Sequence, residues 1–174
     1  MRRIGHVKKE IRLMGISVSV RAHEDQFSIV GVVLRGGLWL DGVVWLQFHR
    51  NREDVVEKTV EMILKSKFFK ELRVVILCSE LVREFRSQGL LRFVEILGLP
   101  IIAVADDRTS RFDQVLRRKS MLVKVRKGRF LALCMGLTQD EAEAILRISW
   151  EAGRVPEPLR IGRLVASALD TTKS

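Results

Sequence analysis

The chain has 174 residues, of which 47% are hydrophobic and 30% are charged, and its formal net charge at pH 7 is +10. Its length and apolar content suit one folded domain with a proper core, which excludes a disordered or fibrous chain. The excess of positive charge predicts a polyanion, nucleic acid above all, as a partner. The alternative is that the cations serve solubility alone.

Cysteine content and hydropathy exclude two further classes of protein. Cys78 and Cys134 are the only cysteines; they are too few for a disulfide framework and lack the spacing of a metal site. Each lies in an apolar run, which predicts a buried free thiol. No apolar run approaches the ~18 residues that a membrane span needs. We therefore expect a cytoplasmic protein with no membrane partner.

Three β-forming runs open the chain. Residues 11–20 place Ile16, Val18 and Val20 at alternating positions, which predicts a buried first strand. The C-terminal part of such a strand, at 17–19, is where open α/β sheets usually hold their sites. Residues 27–35 and 38–48 flank a Gly-Gly pair, which predicts a tight hairpin.

The third β-forming run is interrupted near its start and is followed by a predicted helix. Asp41-Gly42 interrupts the third run and predicts a bulge or a sharp bend. Asn51 is predicted to cap an amphipathic helix whose apolar residues recur at helical spacing up to Leu64. The first three strands are therefore predicted to form an antiparallel meander followed by a helix.

Two later runs are apolar throughout. Residues 72–77 and 100–105 alternate too little for half-exposed strands, so we predict strands covered on both faces and paired in parallel. A helix over 81–97 is predicted between them, with Gly98 as its C-terminal stop. Strand, helix and strand in this order are typical of an α/β sheet.

The composition changes from Asp106 onwards. Nine cations and a single acid, Asp113, lie between Arg108 and Arg129. A helix is predicted over 112–119, and a hairpin is predicted for 121–126 and 129–135 across Lys127-Gly128. Cations on a helix and an adjoining hairpin suit contacts with phosphates.

Two helices are predicted at the C-terminus. Thr138 and Glu141 are spaced as a capping box that opens a helix running to Trp150. Pro158 suits the first turn of a last helix, whose apolar face would lie on the core or on a partner. Trp39, Trp45 and Trp150 are predicted to pack in the core or the hairpin rather than to stack on bases.

The order of these elements indicates one fold. Three meandering strands followed by helix, strand, helix and strand are the order of an RNase H-like α/β domain. The predicted mixed sheet has antiparallel strands 1–3 and parallel strands 4 and 5, in the order 3-2-1-4-5, and is flanked by helices. Connection rules allow this arrangement.

Several segments together resemble one family. Residues 7–16 resemble its opening strand, 29–37 and 40–43 its hairpin, 98–104 its fifth strand, and 155–161 with 164–169 its C-terminal signature. The chain is thereby identified as a member of the archaeal endonuclease V-like proteins, known as domain of unknown function 99. The resemblance covers roughly the whole chain. It implies an RNase H-like fold and one endonuclease V-like domain over 1–174, with a C-terminal hairpin and helices.

The resemblance does not imply that this chain is catalytic. Endonuclease V is similar in fold and cuts nucleic acid with carboxylates that hold a divalent metal, and magnesium prefers hard oxygen ligands. Relatives usually carry aspartate directly after the Gly-Ile of the first strand and Asp-Gly after the fourth. Here those positions are Ser17 and Cys78. We therefore expect neither a catalytic residue nor a bound metal or other cofactor at these positions.

Three functions stay open. The leading hypothesis is a non-catalytic endonuclease V-like protein that binds nucleic acid through its basic face. The second is a nuclease that holds magnesium or manganese with displaced acids at Glu80, Asp106 or Asp107. The third is a scaffold or a homo-oligomer subunit. The basic face would comprise eight cations: Arg108, Arg111, Arg117, Arg118, Lys124, Arg126, Lys127 and Arg129.

Overall fold

The computed structural model describes residues 4, 7–20, 26–37, 39–49, 54–105, 122–127, 130–150 and 155–171. The predicted helix over 112–119 and the acids Asp106 and Asp107 lie outside these ranges.

The described strands form one mixed sheet of seven strands in the order β3-β2-β1-β4-β5-β7-β6. The strands are β1 (Arg12–Val20), β2 (Gln26–Arg35), β3 (Trp39–His49), β4 (Val74–Leu77), β5 (Ile101–Ala105), β6 (Leu122–Lys127) and β7 (Phe130–Met135). β1, β2 and β3 pair antiparallel, whereas β4 pairs in parallel with both β1 and β5. The predicted order 3-2-1-4-5 is confirmed, and the predicted hairpin of β6 and β7 extends the sheet beyond β5.

Four helices are described: α1 (Val55–Lys65), α2 (Ser79–Leu97), α3 (Gln139–Ser149) and α4 (Glu157–Thr171). The predicted cap of α1 was wrong, because the N-cap is Asp54, whose carboxylate accepts the Glu57 N–H at 3.0 Å. The predicted capping box of α3 is confirmed: Thr138 Oγ1 accepts the Glu141 N–H, and Glu141 Oε2 accepts the Thr138 N–H. Each cap satisfies N–H groups that have no partner inside the helix.

The turn and the bulge of the β2–β3 hairpin are as predicted. Gly36 and Gly37 have φ values of 63° and 80°, the left-handed region that glycine enters without a steric penalty. The register of β3 against β2 shifts at Val33 and Leu34, which leaves Asp41 as the extra residue of a bulge. Arg12 Nε donates to Asp41 Oδ2 at 2.7 Å and ties the bulge to β1.

Helices cover both faces of the sheet. On one face, Met62 of α1 lies over Gly31 of β2, and α2 packs on β1 and β5. On the other face, α4 packs on β1 and β2, where its Gly162 lies beside Val32. All four residues of β4 are buried, as a strand with parallel partners and two covered faces requires.

Two predictions made from hydropathy concern the two cysteines and membrane-spanning helices. Cys78 and Cys134 are buried free thiols, as predicted. In the described ranges, no helix combines the length and the apolar content that crossing a membrane would need.

Candidate functional site

The two positions at which the resemblance implies metal-binding acids in relatives lie side by side in the structure. Ser17 follows Ile16 in β1, and Cys78 comes directly after β4, the parallel neighbour of β1. The Cys78 N–H donates to the Ile16 carbonyl at 3.1 Å, which joins the two positions through the backbone. We call this place the mouth, defined by Ser17, Cys78 and the first turn of α2.

Helix α4 closes the mouth at Ser17. The Ser17 side chain is fully buried, and its hydroxyl donates to the Leu159 carbonyl in the first turn of α4 at 2.9 Å. A Cβ added to Gly162 would lie 2.8 Å from Ser17 Oγ, and one added to Gly15 would lie 2.6 Å from Pro158 Cβ. Since Cβ contacts below 3.0 Å are sterically forbidden, glycine permits this close approach of the helix to the strand.

The thiol of Cys78 is a soft ligand, unlike the hard oxygen donors that magnesium prefers. Burial raises its pKa to about 12, and the neighbouring Glu80 carboxylate adds to this rise. Cys78 is 1% exposed and is the N-cap residue of α2. The thiolate is the form that binds metals, and this cysteine is held as the thiol.

One acid does lie at the mouth, and it is paired with a cation. Arg163 of α4 donates from Nη2 to both Glu80 oxygens, at 3.0 and 3.2 Å, and Ser79 Oγ donates to Glu80 Oε2 at 3.1 Å. Burial alone would raise the pKa of Glu80. Its own backbone N–H, Arg163 and Ser79 outweigh that effect and leave the pKa below 4.5. The guanidinium thus supplies the positive charge beside this carboxylate.

The residues at the mouth do not fit a divalent metal. A hard cation needs several oxygen ligands, usually including carboxylates. Here the Ser17 hydroxyl is directed at Leu159, the Cys78 thiol is protonated, and Glu80 is bound by Arg163. The described residues contain no group of three or more His, Cys, Asp or Glu arranged to hold a metal ion.

The structure brings only part of the predicted site residues into view. Glu80 is at the mouth, as its position after Cys78 suggested, whereas Asp106 and Asp107 lie outside the described residues. Of the predicted basic face, Lys124, Arg126 and Lys127 are in β6, at the edge of the sheet opposite β3. The other five cations, Arg108, Arg111, Arg117, Arg118 and Arg129, lie outside the described residues.

Sequence reasoning did not identify the residues of α4 that close the mouth. The apolar face of this helix was predicted to lie on the core or on a partner. It lies on the core of the same chain, where Leu159, Gly162 and Ala166 are buried and Val165 and Leu169 are half-buried. The role of Arg163 was missed. The sequence did contain a signal for this role. Gly162 and Arg163 follow the Pro-Glu-Pro segment that begins the last helix, and the apolar face of that helix is made in part of small residues.

The tryptophans divide into two groups. Trp150 is 2% exposed, which confirms its predicted packing in the core. Trp39 and Trp45 belong to the β2–β3 hairpin and are 71% and 52% exposed, so the core alternative of the prediction was wrong for these two. Both belong to β3, an outer strand of the described sheet, and none of the four described helices buries their side chains.

Comparison with solved structures supports the fold. A protein of unknown function from Archaeoglobus fulgidus is similar, with a TM-score of 0.65, 24% identity and coverage of 91% of this chain and 98% of that one. Endonuclease V of Ciona intestinalis, in complex with a 24mer DNA containing inosine, has a TM-score of 0.64 at 12% identity. That match covers 94% of this chain and 87% of the endonuclease. At these identities the likeness establishes an RNase H-like fold.

Comparison with known sequences supplies the family. A UPF0215 protein of Methanothermobacter thermautotrophicus is 30% identical over 97% of this chain and 92% of its own length. A UPF0215 protein of Methanopyrus kandleri is 29% identical over 99% and 98%. The model of the family described as endonuclease dU matches residues 9–170. The chain therefore belongs to the endonuclease dU family, the archaeal endonuclease V-like group that its sequence resembles.

Proposed function

We propose that this protein is a non-catalytic member of its family that binds nucleic acid through the basic face predicted between Arg108 and Arg129. The observation that carries the non-catalytic part is the Ser17 hydroxyl, which is fully buried beneath α4 and donates to the Leu159 carbonyl. The observation that supports binding is the net charge of +10 in a family whose description and fold are those of nucleases.

The physical argument concerns the cost of placing a metal at the mouth. A nuclease of this fold uses bound metal to activate water and to neutralise charge on the phosphate. Among the described residues, the acid at the mouth is Glu80, and binding a metal there would require breaking its pair with Arg163. Phosphate binding by lysine and arginine needs no metal, so this function survives the loss of the acids.

The first experiment measures binding of single-stranded DNA and RNA by fluorescence anisotropy at low and high salt, with either magnesium or a chelator. We expect binding that weakens steeply with salt and is unchanged by the chelator. The absence of binding at low salt would remove the nucleic-acid part of the proposal and favour a scaffold.

A charge-reversal pair locates the binding surface. Lys124→Glu with Arg126→Glu should weaken binding at least tenfold and lower the salt slope by about 1.4, the value for two single-strand phosphate contacts. The matched control is Lys67→Glu with Lys70→Glu, which changes the net charge equally at two exposed positions after α1. Equal losses in both pairs would mean that total charge, not this face, binds the nucleic acid.

The second candidate is a metal-dependent nuclease with displaced acids, and the position of Glu80 at the mouth is the observation in its favour. Its test is incubation of strands containing deoxyuridine or inosine with manganese. We expect no cleavage. Manganese-dependent cleavage that Glu80→Gln or Asp106→Asn abolishes would overturn the non-catalytic proposal and establish this alternative.

A further inference from the structure

β3 is an outer strand of the described sheet, and its composition differs from that of the chain. Charged residues make up 30% of the whole sequence, but Asp41 is the only one in Trp39–His49. Asp41 is bound by Arg12, and its side chain is only 15% exposed. Its charge therefore does not prevent another strand from pairing with this edge. Edge strands usually carry outward charges or proline that prevent pairing with another chain. From residue 42 to residue 48, this strand carries neither.

Apolar side chains are also exposed along this strand. Leu40, Val43 and Trp45 are 56%, 37% and 52% exposed. Their register partners in β2, which are Leu34, Val32 and Val30, are fully buried on the face that α4 covers. Residues paired in register share a face of the sheet. The apolar face therefore continues beyond α4 onto β3, where nothing described covers it.

The exposed area is comparable to what a small stable interface needs. Trp39, Leu40, Val43 and Trp45 together expose on the order of 500 Å², since a tryptophan side chain alone presents roughly 150–250 Å². Trp39 lies on one face of the strand and the other three lie on the opposite face, so antiparallel pairing would bring about 1,000 Å² of exposed apolar surface from two copies side by side. Partial burial of that surface, with the backbone of two 11-residue strands, approaches the lower limit for a specific protein interface.

We propose that β3 is the interface of a homodimer, in which the β3 strands of two copies pair antiparallel about a two-fold axis at Val44. In this register, Trp45 of one protomer lies opposite Val43 of the partner subunit on the face that α4 covers. Aromatic and β-branched side chains are favourable cross-strand neighbours. The sheets of the two copies join into one, and the backbone groups of both edges gain partners.

The chemistry of the strip favours a second copy over a nucleic acid. Stacking of bases on tryptophan is normally accompanied by cations that hold the backbone, but β3 contains no lysine or arginine. A strand without charge at its centre pairs with its own copy without placing like charges opposite each other. The described residues of the basic face, Lys124, Arg126 and Lys127, belong to β6 on the opposite edge of the sheet.

The test is the mass of the protein in solution, measured by light scattering in high salt after nuclease treatment, from micromolar to millimolar concentration. We expect twice the 20.0 kDa of one chain. Trp45→Thr removes the ring but keeps a good strand former, and we expect the dimer to dissociate at least tenfold more readily. Ile96→Thr is the matched control, because Ile96 is 46% exposed on α2, and its variant should remain dimeric.

A cross-link tests the register. Val44→Cys would place the two new thiols opposite each other across the axis, where Cα atoms lie about 4.5–5.5 Å apart. Both native cysteines are buried, so mild oxidation should give a covalent dimer of Val44→Cys alone. Ile96→Cys is the control and should give none. The Val44→Cys variant keeps Trp45, so it still tests the interface if circular dichroism shows that Trp45→Thr does not fold.

Two results would overturn the proposal. A wild-type protein that stays monomeric at the highest concentration has no such interface. A Trp45→Thr variant that loses affinity for oligonucleotides while its mass is unchanged would mean that the strip stacks on bases. Neither result bears on the basic face, whose binding is measured with the charge-reversal variants.

Discussion

The mouth and the edge of β3 lie on one face of the same sheet and differ in how their side chains are covered. At the mouth, α4 reaches the strands so closely that Ser17 and Leu159 form a hydrogen bond in a fully buried position. At β3, two strands away, Val43 and Trp45 remain exposed. Helix α4 therefore covers the sheet where a nuclease of this fold would hold its metal, but it does not cover the outer strand β3.

The largest expected effect comes from restoring the acid that relatives carry. Ser17→Asp places a carboxylate in a fully buried position beside the Leu159 carbonyl, which cannot donate a hydrogen bond to it. We expect the free energy of unfolding to fall by about 3–5 kcal/mol, the cost of a buried unpaired charge. Denaturant titration at pH 7 measures it.

Trp45→Asp is the control, since the same charge at a half-exposed position should cost about 1 kcal/mol in dilute protein. Equal losses at both positions would contradict the difference between the mouth and the edge. A Ser17→Asp variant that keeps its stability and is further stabilised by manganese would mean that α4 moves aside and that the mouth accepts metal.

A smaller effect is expected where α4 meets β1. Gly162→Ala adds a Cβ 2.8 Å from Ser17 Oγ, and we expect a loss of about 1–3 kcal/mol from overpacking, despite the better helix propensity of alanine. The measurement is the midpoint of urea unfolding. In a Ser17→Gly background the same substitution should be neutral or stabilising, because the clashing atoms are gone. Additive effects in this double-mutant cycle would contradict close packing at the mouth.

The smallest effect concerns the ion pair at the mouth. The pKa of Glu80 is lowered in the folded chain, so its stabilisation is present above the unfolded pKa and is lost as the pH falls through the folded pKa. Glu80 and Arg163 are 38% and 41% exposed, so solvent screening limits the contribution to about 1 kcal/mol or less.

Glu80→Gln should therefore lower stability at pH 7 slightly and make the acid limb of the stability curve shallower. Urea unfolding between pH 3 and pH 7 measures both changes. The comparison variant is Glu157→Gln, which removes the partner of Arg160 within α4. A steeper acid limb in Glu80→Gln would contradict the lowered pKa.

Local patterns predicted most of the fold. The Gly36-Gly37 turn, the bulge at Asp41 and the capping box of Thr138 depend on residues close in sequence, and each is present as predicted. The apolar run at β4 predicted parallel pairing, because only a strand covered on both faces lacks alternation. The cap of α1 was misplaced because Asn51 and Asp54 both suit that role and the chain context selects between them.

Contacts between segments that are distant in sequence could not be predicted from local patterns. Ser17 and Leu159 are 142 positions apart, and Glu80 and Arg163 are 83 positions apart. No periodicity relates such residues, so neither the closure of the mouth nor the pairing of its one acid was predicted. The exposure of Trp45 was missed for a related reason, because a tryptophan in an apolar strand is buried only if another element reaches it.

The sequence by itself determined the family, the order and type of the elements, and the absence of acids at Ser17 and Cys78, since residue identity and short-range spacing carry that information. Only the tertiary structure decided that α4 fills the mouth, that Arg163 pairs with Glu80, and that β3 keeps an uncovered apolar edge. The physical reason is that burial and hydrogen-bond partners depend on how far a packed helix reaches across a sheet. That reach is a property of the assembled chain and of no single segment.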